Sequence, residues 1–263
     1  MKKRKIMITN DDGIQSEGLR AAVMAAKKFG EVIVVAPARQ QTAMGRAYPR
    51  TEDLGIIRKV DYSVEGVEAY AVNGSPGYCT AFGLLEILDI SPDLVISGIN
   101  FGCNLGLSLT CSGTLGAAFE ASSEGVPVMA VSLETKAEHI MVTSSASVGF
   151  QKAKEVTEIW IARMLEEIYE KDNDAYRFLN INIPAGDIDT ENYRMTFLEN
   201  QNYYVLQRPP KREWSQPCGL SFTIEVDEEN LHKGSDIQTV CQDRIVSVTP
   251  VTMDMTRNTM SRF

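Results

Sequence analysis

Histidine is almost missing from this chain, with His139 and His232 the only two in 263 residues. A histidine-rich metal centre or a Ser-His-Asp triad is therefore poorly supplied. Cysteine is sparse and unpatterned: Cys79, Cys103, Cys111, Cys218 and Cys241 are odd in number, irregularly spaced and free of any C-x-x-C pair. That argues against a disulfide framework and a cysteine zinc site, and predicts free, mostly buried thiols in a reducing cytosol. No run approaches the roughly 18 apolar residues of a membrane helix, so no membrane partner is expected. The basic residues 1–5 are followed by an apolar run that stops at Asn10, too short for a signal peptide and without a small-residue cleavage site. Basic residues are outnumbered, 26 Lys and Arg against 35 Asp and Glu, for a net charge of −9. Nucleic acid is not an expected partner, because a phosphate backbone needs clustered Lys and Arg. A small phosphorylated molecule stays possible where a metal or a helix N-terminus offsets repulsion. Three fingerprints are also absent: the P-loop, the G-x-G-x-x-G of dinucleotide enzymes after the first strand, and the G-x-S-x-G elbow of serine hydrolases.

What is present is a regular alternation. Residues 5–10 form an apolar run, residues 17–29 carry helical apolar spacing that ends at Gly30, and residues 31–36 form a second apolar run. Strand, helix and strand over so short a span predict a βαβ unit with parallel strands. Further strands are expected at 55–64, 67–72, 93–97, 127–133 and 178–183. Helices are expected at 77–88, 114–123 and 145–169, with residues 98–113 a glycine-punctuated loop. Beyond Pro184 the pattern changes to extended segments at 193–206 and 220–226, a Pro-rich connection and a last strand at 244–251, with no helical periodicity. The expected architecture is a Rossmann-like, doubly wound, mostly parallel α/β core over 1–184. A β-rich extension over 185–263 follows, with its final strand returning to the core.

Four segments carry candidate chemistry. Asn10-Asp11-Asp12-Gly13 places two adjacent carboxylates beyond the carboxyl end of the first strand, where open α/β sheets bind ligands. Such oxygens suit a hard cation such as Mg²⁺ or Mn²⁺, although the same four residues read equally as a solvated turn with a helix cap. Asn100, past the end of the 93–97 strand, lies near Asp11 if the two strands are neighbours. Its amide oxygen suits a metal and its NH₂ a phosphate oxygen, or it is a turn asparagine. Ser112-Gly113-Thr114 opens a small-residue helix and offers free N–H groups to a phosphate, or Ser112 or Thr114 simply caps that helix. Thr42, in the loop after the second strand, can reach the same crevice, though an exposed loop threonine is the simpler reading.

Taken together, residues 8–13, Ser97-Gly98-Ile99-Asn100, Asn104-Leu105-Gly106 and residues 112–118 resemble the SurE family of nucleotidases. The resemblance continues, in order, through Asn73-Gly74-Ser75-Pro76 and residues 180–184 to residues 246–250, nearly the whole chain. It implies a divalent-metal-dependent phosphatase acting on nucleoside 5′- and 3′-monophosphates, with one Mg²⁺ or Mn²⁺ per subunit. By the same resemblance Asp11, Asp12 and Asn100 match the metal ligands, and Thr42 falls where the family places a ligating serine. The catalytic set implied is Asp11, Asp12 and Asn100, with Asp12 preferred as general base. The substrate-binding set is Asn100, Ser112, Gly113 and Thr114. The family forms dimers or tetramers through its C-terminal extension, so a homodimer or homotetramer is expected. The chain departs from the pattern at Ala43-Met44-Gly45-Arg46, where glycine and serines are usual, and at Tyr78, where an aspartate is usual. A nucleotide-binding or regulatory protein without turnover is the alternative, and a Rossmann-type oxidoreductase a third reading.

Overall fold

The computed structural model describes residues 4–136 and 148–254. Its centre is a nine-stranded sheet in the order β3-β4-β2-β1-β5-β6-β7-β11-β8. The strands are β1 (Arg4–Thr9), β2 (Gly30–Pro37), β3 (Ile57–Val60), β4 (Glu68–Val72), β5 (Leu94–Phe101), β6 (Val128–Leu133), β7 (Phe178–Ile183), β8 (Tyr193–Met195) and β11 (Val246–Pro250). All neighbours pair in parallel except β3 with β4 and β11 with β7. A separate antiparallel pair joins β9 (Tyr204–Leu206) to β10 (Phe222–Ile224).

The period-2 alternation of the central strands sorts their side chains to two faces. Ile6, Ile8, Val34, Ile96 and Val131 pack in one core with residues of α1 (Glu17–Ala26) and α4 (Gln151–Tyr169). Met7, Val35, Val95 and Ala130 pack in the other with residues of α2 (Pro76–Phe82) and α3 (Gly113–Ser123). Trp160 of α4 is 1% exposed and meets Tyr193 edge-on at 5.0 Å, tying the helix to β8. Truncating such a side chain to alanine costs about 3–5 kcal/mol.

Chain order along the sheet reverses between β1 and β5, with β2 and β4 on one side and β6 and β7 on the other. Crossovers leave these two strands on opposite sides, so a crevice opens at their carboxyl ends. β1 and β5 are hydrogen-bonded neighbours, as the placement of Asn100 near Asp11 requires.

Several elements differ from the sequence reading. β5 does not stop at Ser97: its register against β6 shifts between Ser97 and Asn100 and then resumes, with Asn100 opposite Ser132 and Phe101 opposite Leu133. Gly98 carries the shift at φ +137°, pressed so close to β6 that a Cβ would lie 2.3 Å from the Val131 carbonyl oxygen. Such an irregularity re-aims the side chains that follow it. The helix expected at 77–88 is α for one part and widens to a π-turn over Gly83–Ile87, where Gly83 packs against Met7. A short helix, α5 (Asp236–Cys241), stands where only extended chain was expected, because six residues are too few to display a period. The observed part of the 145–169 helix begins at Gln151, and residues 145–147 lie outside the described residues. His139, the 1–3 lead and residues 255–263 also lie outside them. All five cysteines are free, but only Cys79 and Cys103 are buried. Cys111 and Cys218 are exposed because they sit at the end of a short 3-10 helix (Leu107–Cys111) and in the Pro-rich connection, not on a core face. Among the described residues no helix is long and apolar enough to cross a membrane.

Candidate active site

The turn after β1 is built by its own sequence. Asn10 Oδ1 accepts from the Gly13 N–H at 3.2 Å, and its Nδ2 donates to the Gly13 carbonyl at 3.1 Å. Gly13 takes φ +100°, and a Cβ there would stand 3.2 Å from the Arg39 carbonyl carbon, a conformation and a closeness that favour glycine. The Gln41 N–H donates to the Asp11 carbonyl at 2.7 Å, which docks the loop after β2 onto this turn. Asp11 and Asp12 are thereby held side by side, 3% and 1% exposed.

Asp11 is held by the start of α3. Thr114 Oγ1 donates to Asp11 Oδ1 at 2.8 Å, and the Thr114 backbone N–H donates to the same carboxylate. Gly113 makes the approach possible, since a Cβ there would stand 2.7 Å from Asp11 Oδ2 and 3.0 Å from the Gln41 carbonyl oxygen. Asp12 accepts from the Phe101 N–H at 3.4 Å and from Gln40 Nε2 at 3.5 Å, both long contacts. Burial raises the Asp11 carboxyl to about 6 against these donors. Burial, and then the charge of Asp11, raise Asp12 well above the ordinary carboxylate range. Two desolvated carboxylates a residue apart repel when both are ionised, and a cation between them removes that cost.

Three of the other predicted residues come to the same place, whereas Asp12, Gly113 and Thr114 are not among the residues that line it. Thr42, Asn100 and Ser112 line one cavity of about 470 Å³ together with Asp11. Thr42 is half-buried, and its Oγ1 is shielded from solvent with no hydrogen-bond partner among the described residues. Asn100 donates one Nδ2 hydrogen to the Gly102 carbonyl at 2.7 Å, which fixes the amide while its oxygen stays available. Among the described residues no three His, Cys, Asp or Glu side chains gather as a metal cluster, so a cation here needs neutral oxygens as well. Two carboxylates, an amide and an unpartnered hydroxyl form an all-oxygen donor set, which fits a hard divalent ion.

The Ser112–Thr114 run is used differently from a simple phosphate cradle. Ser112 Oγ caps α3 by accepting from the Leu115 N–H at 3.2 Å, and its own N–H donates to the Leu109 carbonyl at 3.2 Å. With the Thr114 amide engaged by Asp11, the Gly113 N–H is the donor of this run left to face an anion. Tyr78 is not among the residues lining the cavity; it packs between Tyr48, at 4.8 Å, and Phe82, at 5.9 Å.

Sequence reasoning missed the support behind the site. Asn104, Ser132, Asn180 and Asn182 form a buried polar network between the loop after β5 and strands β6 and β7. The Asn104 N–H donates to Asn182 Oδ1 at 2.7 Å and Asn104 Nδ2 to Ser132 Oγ at 2.8 Å. Asn180 and Asn182 donate to the Asn104 carbonyl at 2.9 and 3.1 Å. The polar run Asn180-Ile181-Asn182 inside an apolar strand is the signal that could have found it. Tyr204, Leu206 and Phe222, from the β9–β10 pair, supply the apolar wall of the cavity opposite the carboxylates. A larger cleft of about 1220 Å³ lies by Glu134, Glu199, Asp227 and His232 and contains none of the predicted residues.

Known proteins resemble this chain in sequence and in fold. The sequence profile of the family described as Survival protein SurE matches residues 6–205. A 5′-nucleotidase SurE from Methanocella arvoryzae is 37% identical, over 96% of this chain and 93% of its own. One from Methanothermobacter thermautotrophicus is 42% identical, over 84% of this chain and 86% of its own. The crystal structure of the SurE protein from Aquifex aeolicus superposes with a TM-score of 0.74 at 29% identity, covering 96% of this chain and 95% of that one. On this profile match and these full-length likenesses, the chain belongs to the SurE family.

Proposed function

We propose that this chain is a divalent-metal-dependent phosphatase that hydrolyses nucleoside 5′- and 3′-monophosphates to nucleoside and phosphate. One observation carries the reading: the buried carboxylate of Asp11 shares a crevice with Asn100 and the partnerless hydroxyl of Thr42, and a second buried carboxylate, Asp12, follows it in the chain and accepts from Phe101, a residue of the crevice lining. The relatives named 5′-nucleotidase SurE support the 5′ activity, and the family resemblance extends it to 3′ esters. Asp11, Asp12, Asn100 and Thr42 would hold one Mg²⁺ or Mn²⁺, which when bound supplies Lewis-acid polarisation of the phosphoryl group.

The residues divide the remaining work. The Gly113 N–H, at the positive end of α3, and the free amide hydrogen of Asn100 hold phosphoryl oxygens as charge develops. Asp12, ionised when the cation is held, accepts the proton of the attacking water. Water forms a bond to phosphorus as the ester P–O bond breaks, the departing nucleoside oxygen takes a proton from solvent, and Asp12 returns to solvent the proton it took from the water. Thr114 keeps Asp11 oriented throughout.

The extension reads as an assembly surface for a homodimer or homotetramer. Leu206, Trp214, Leu220 and Ile224 are exposed on and between β9 and β10, and an isolated two-stranded pair is only marginally stable. Five unpaired thiols fit a cytoplasmic setting.

The test is phosphate release from a panel of 5′- and 3′-nucleoside monophosphates with Mn²⁺, with Mg²⁺ and with EDTA. Release that needs the metal is expected. Nucleotide binding without release, in folded and metal-loaded protein, would replace the enzyme by a binding protein, the reading that the altered 43–46 loop favours.

A further inference from the structure

Thr42 sits on a loop, and a loop hydroxyl is of use to a cation only if something fixes its position. The segment after Thr42 is pinned to α3 along its length. The Gly45 N–H donates to the Cys111 carbonyl at 3.0 Å, just before the helix. Gly116, one turn in, is so close beneath the loop that a Cβ there would stand 1.9 Å from the Gly45 carbonyl oxygen. Farther along the same helix, Glu120 is 5% exposed, and its Oε2 accepts from Arg46 Nε at 2.7 Å. Arg46 Nη2 also donates to Ser123 Oγ at 2.7 Å. The Tyr48 hydroxyl is hydrogen-bonded to the Glu120 carboxylate as well. On its other side the loop meets α2, where Ser75 Oγ donates to the Ala47 carbonyl at 2.6 Å.

A buried glutamate is costly unless paired, and here both of its partners come from one loop. The same helix carries, at its first turn, the Thr114 hydroxyl that orients Asp11. One rigid element therefore sets the position of a carboxylate through its start and of a loop hydroxyl through its third turn.

We propose that Glu120 is a positioning residue for Thr42: by holding Arg46 and Tyr48 on α3, it fixes the 42–48 loop in register with Asp11. The proposal rests on the reading of Thr42 as a metal ligand. It assigns a role to Arg46, which stands in the part of the loop that departs from the family pattern.

The experiment is Mn²⁺ affinity, measured by electron paramagnetic resonance on metal-free full-length protein, for the wild type, Glu120→Gln, Thr42→Ala and the double variant. Groups that orient a metal ligand contribute about 10–100-fold to affinity, so Glu120→Gln should weaken Mn²⁺ binding by about 10-fold. In the Thr42→Ala background the same change should cost nothing further, since the group being positioned is gone. A purely structural role would give the same loss in both backgrounds and would overturn the proposal. So would wild-type affinity in Glu120→Gln. No Mn²⁺ binding by the wild type would overturn the metal reading itself and the proposal with it. Should Glu120→Gln fail to fold, Arg46→Ala, a change at an exposed position, carries the same comparison with the same expected outcomes.

Discussion

Thr114 and Asp11, 103 residues apart in the chain, are joined by a 2.8 Å hydrogen bond from a hydroxyl that is itself fully buried. A bond from a neutral donor to an ionised acceptor in such surroundings contributes about 1.5–3 kcal/mol. Thr114→Val keeps the shape and removes the donor. Divalent-metal affinity should fall by about 10-fold or more, because 1.4 kcal/mol is a factor of ten. Calorimetric titration of the metal-free variant with Mn²⁺ checks this.

Asp11 also dictates a pH dependence. Its folded-state value is raised from 3.8 to about 6, so its contribution to stability is fully present below pH 3.8 and lost as pH rises through about 6. In EDTA, Asp11→Asn should therefore gain in Tm relative to the wild type as pH moves from 5 to 7.5. The same variant should release no phosphate from nucleotides at any pH while staying folded. Wild-type turnover in Asp11→Asn would remove this residue from the site.

Metal should reverse that cost. A cation needs both carboxylates deprotonated, so protons compete with it as pH falls, at Asp11 through about 6, and the raised Asp12 adds to the competition. Saturating Mn²⁺ should raise the wild-type Tm at pH 7.5 by more than at pH 5.5, and EDTA should cancel the rise. Equal shifts at the two pH values would place the ion elsewhere.

Gly116 predicts a steric effect at a distance. Gly116→Ala adds a methyl that would lie 1.9 Å from the Gly45 oxygen and 2.7 Å from the Arg46 nitrogen, both backbone atoms. The loop must lift from α3, at a cost of about 1–3 kcal/mol for such overpacking. Urea unfolding should show the loss, and Mn²⁺ affinity should fall with it.

Much of this was legible in the residues, for identifiable reasons. Asp11 and Asp12 announce themselves because two carboxylates follow directly on an apolar run and precede a glycine, a local pattern. Asn100 needed one further fact, that β1 and β5 are neighbours, which the sequence leaves open and the strand order supplies. Thr42 was placed near the crevice by its loop's position after the second strand, and only the family resemblance made it a ligand, since a hydroxyl in a polar loop has no local signal of its own. Thr114 was read as a phosphate donor or a cap, and it instead serves Asp11, a pairing that depends on how α3 abuts the first turn. The partners within the Asn104 network and the Glu120 anchorage could not be read for the same reason, being contacts between elements far apart in the chain, although the polar run at 180–182 signals the former. The overrun of β5 past Ser97 was missed because glycine usually ends a strand, whereas Gly98 here permits a bulge.

The cavity wall is divided between two pieces of polypeptide with separate origins. Asp11 stands just past the end of β1, Asn100 at the end of β5 and Ser112 at the cap of α3, whereas Tyr204, Leu206 and Phe222 belong to the detached β9–β10 ribbon. Selection can therefore rewrite the ribbon, and with it the lining of the cavity, without disturbing the oxygens proposed above to do the chemistry. Diversification of substrate choice among relatives is expected to accumulate on the ribbon, while the ends of β1 and β5 change little.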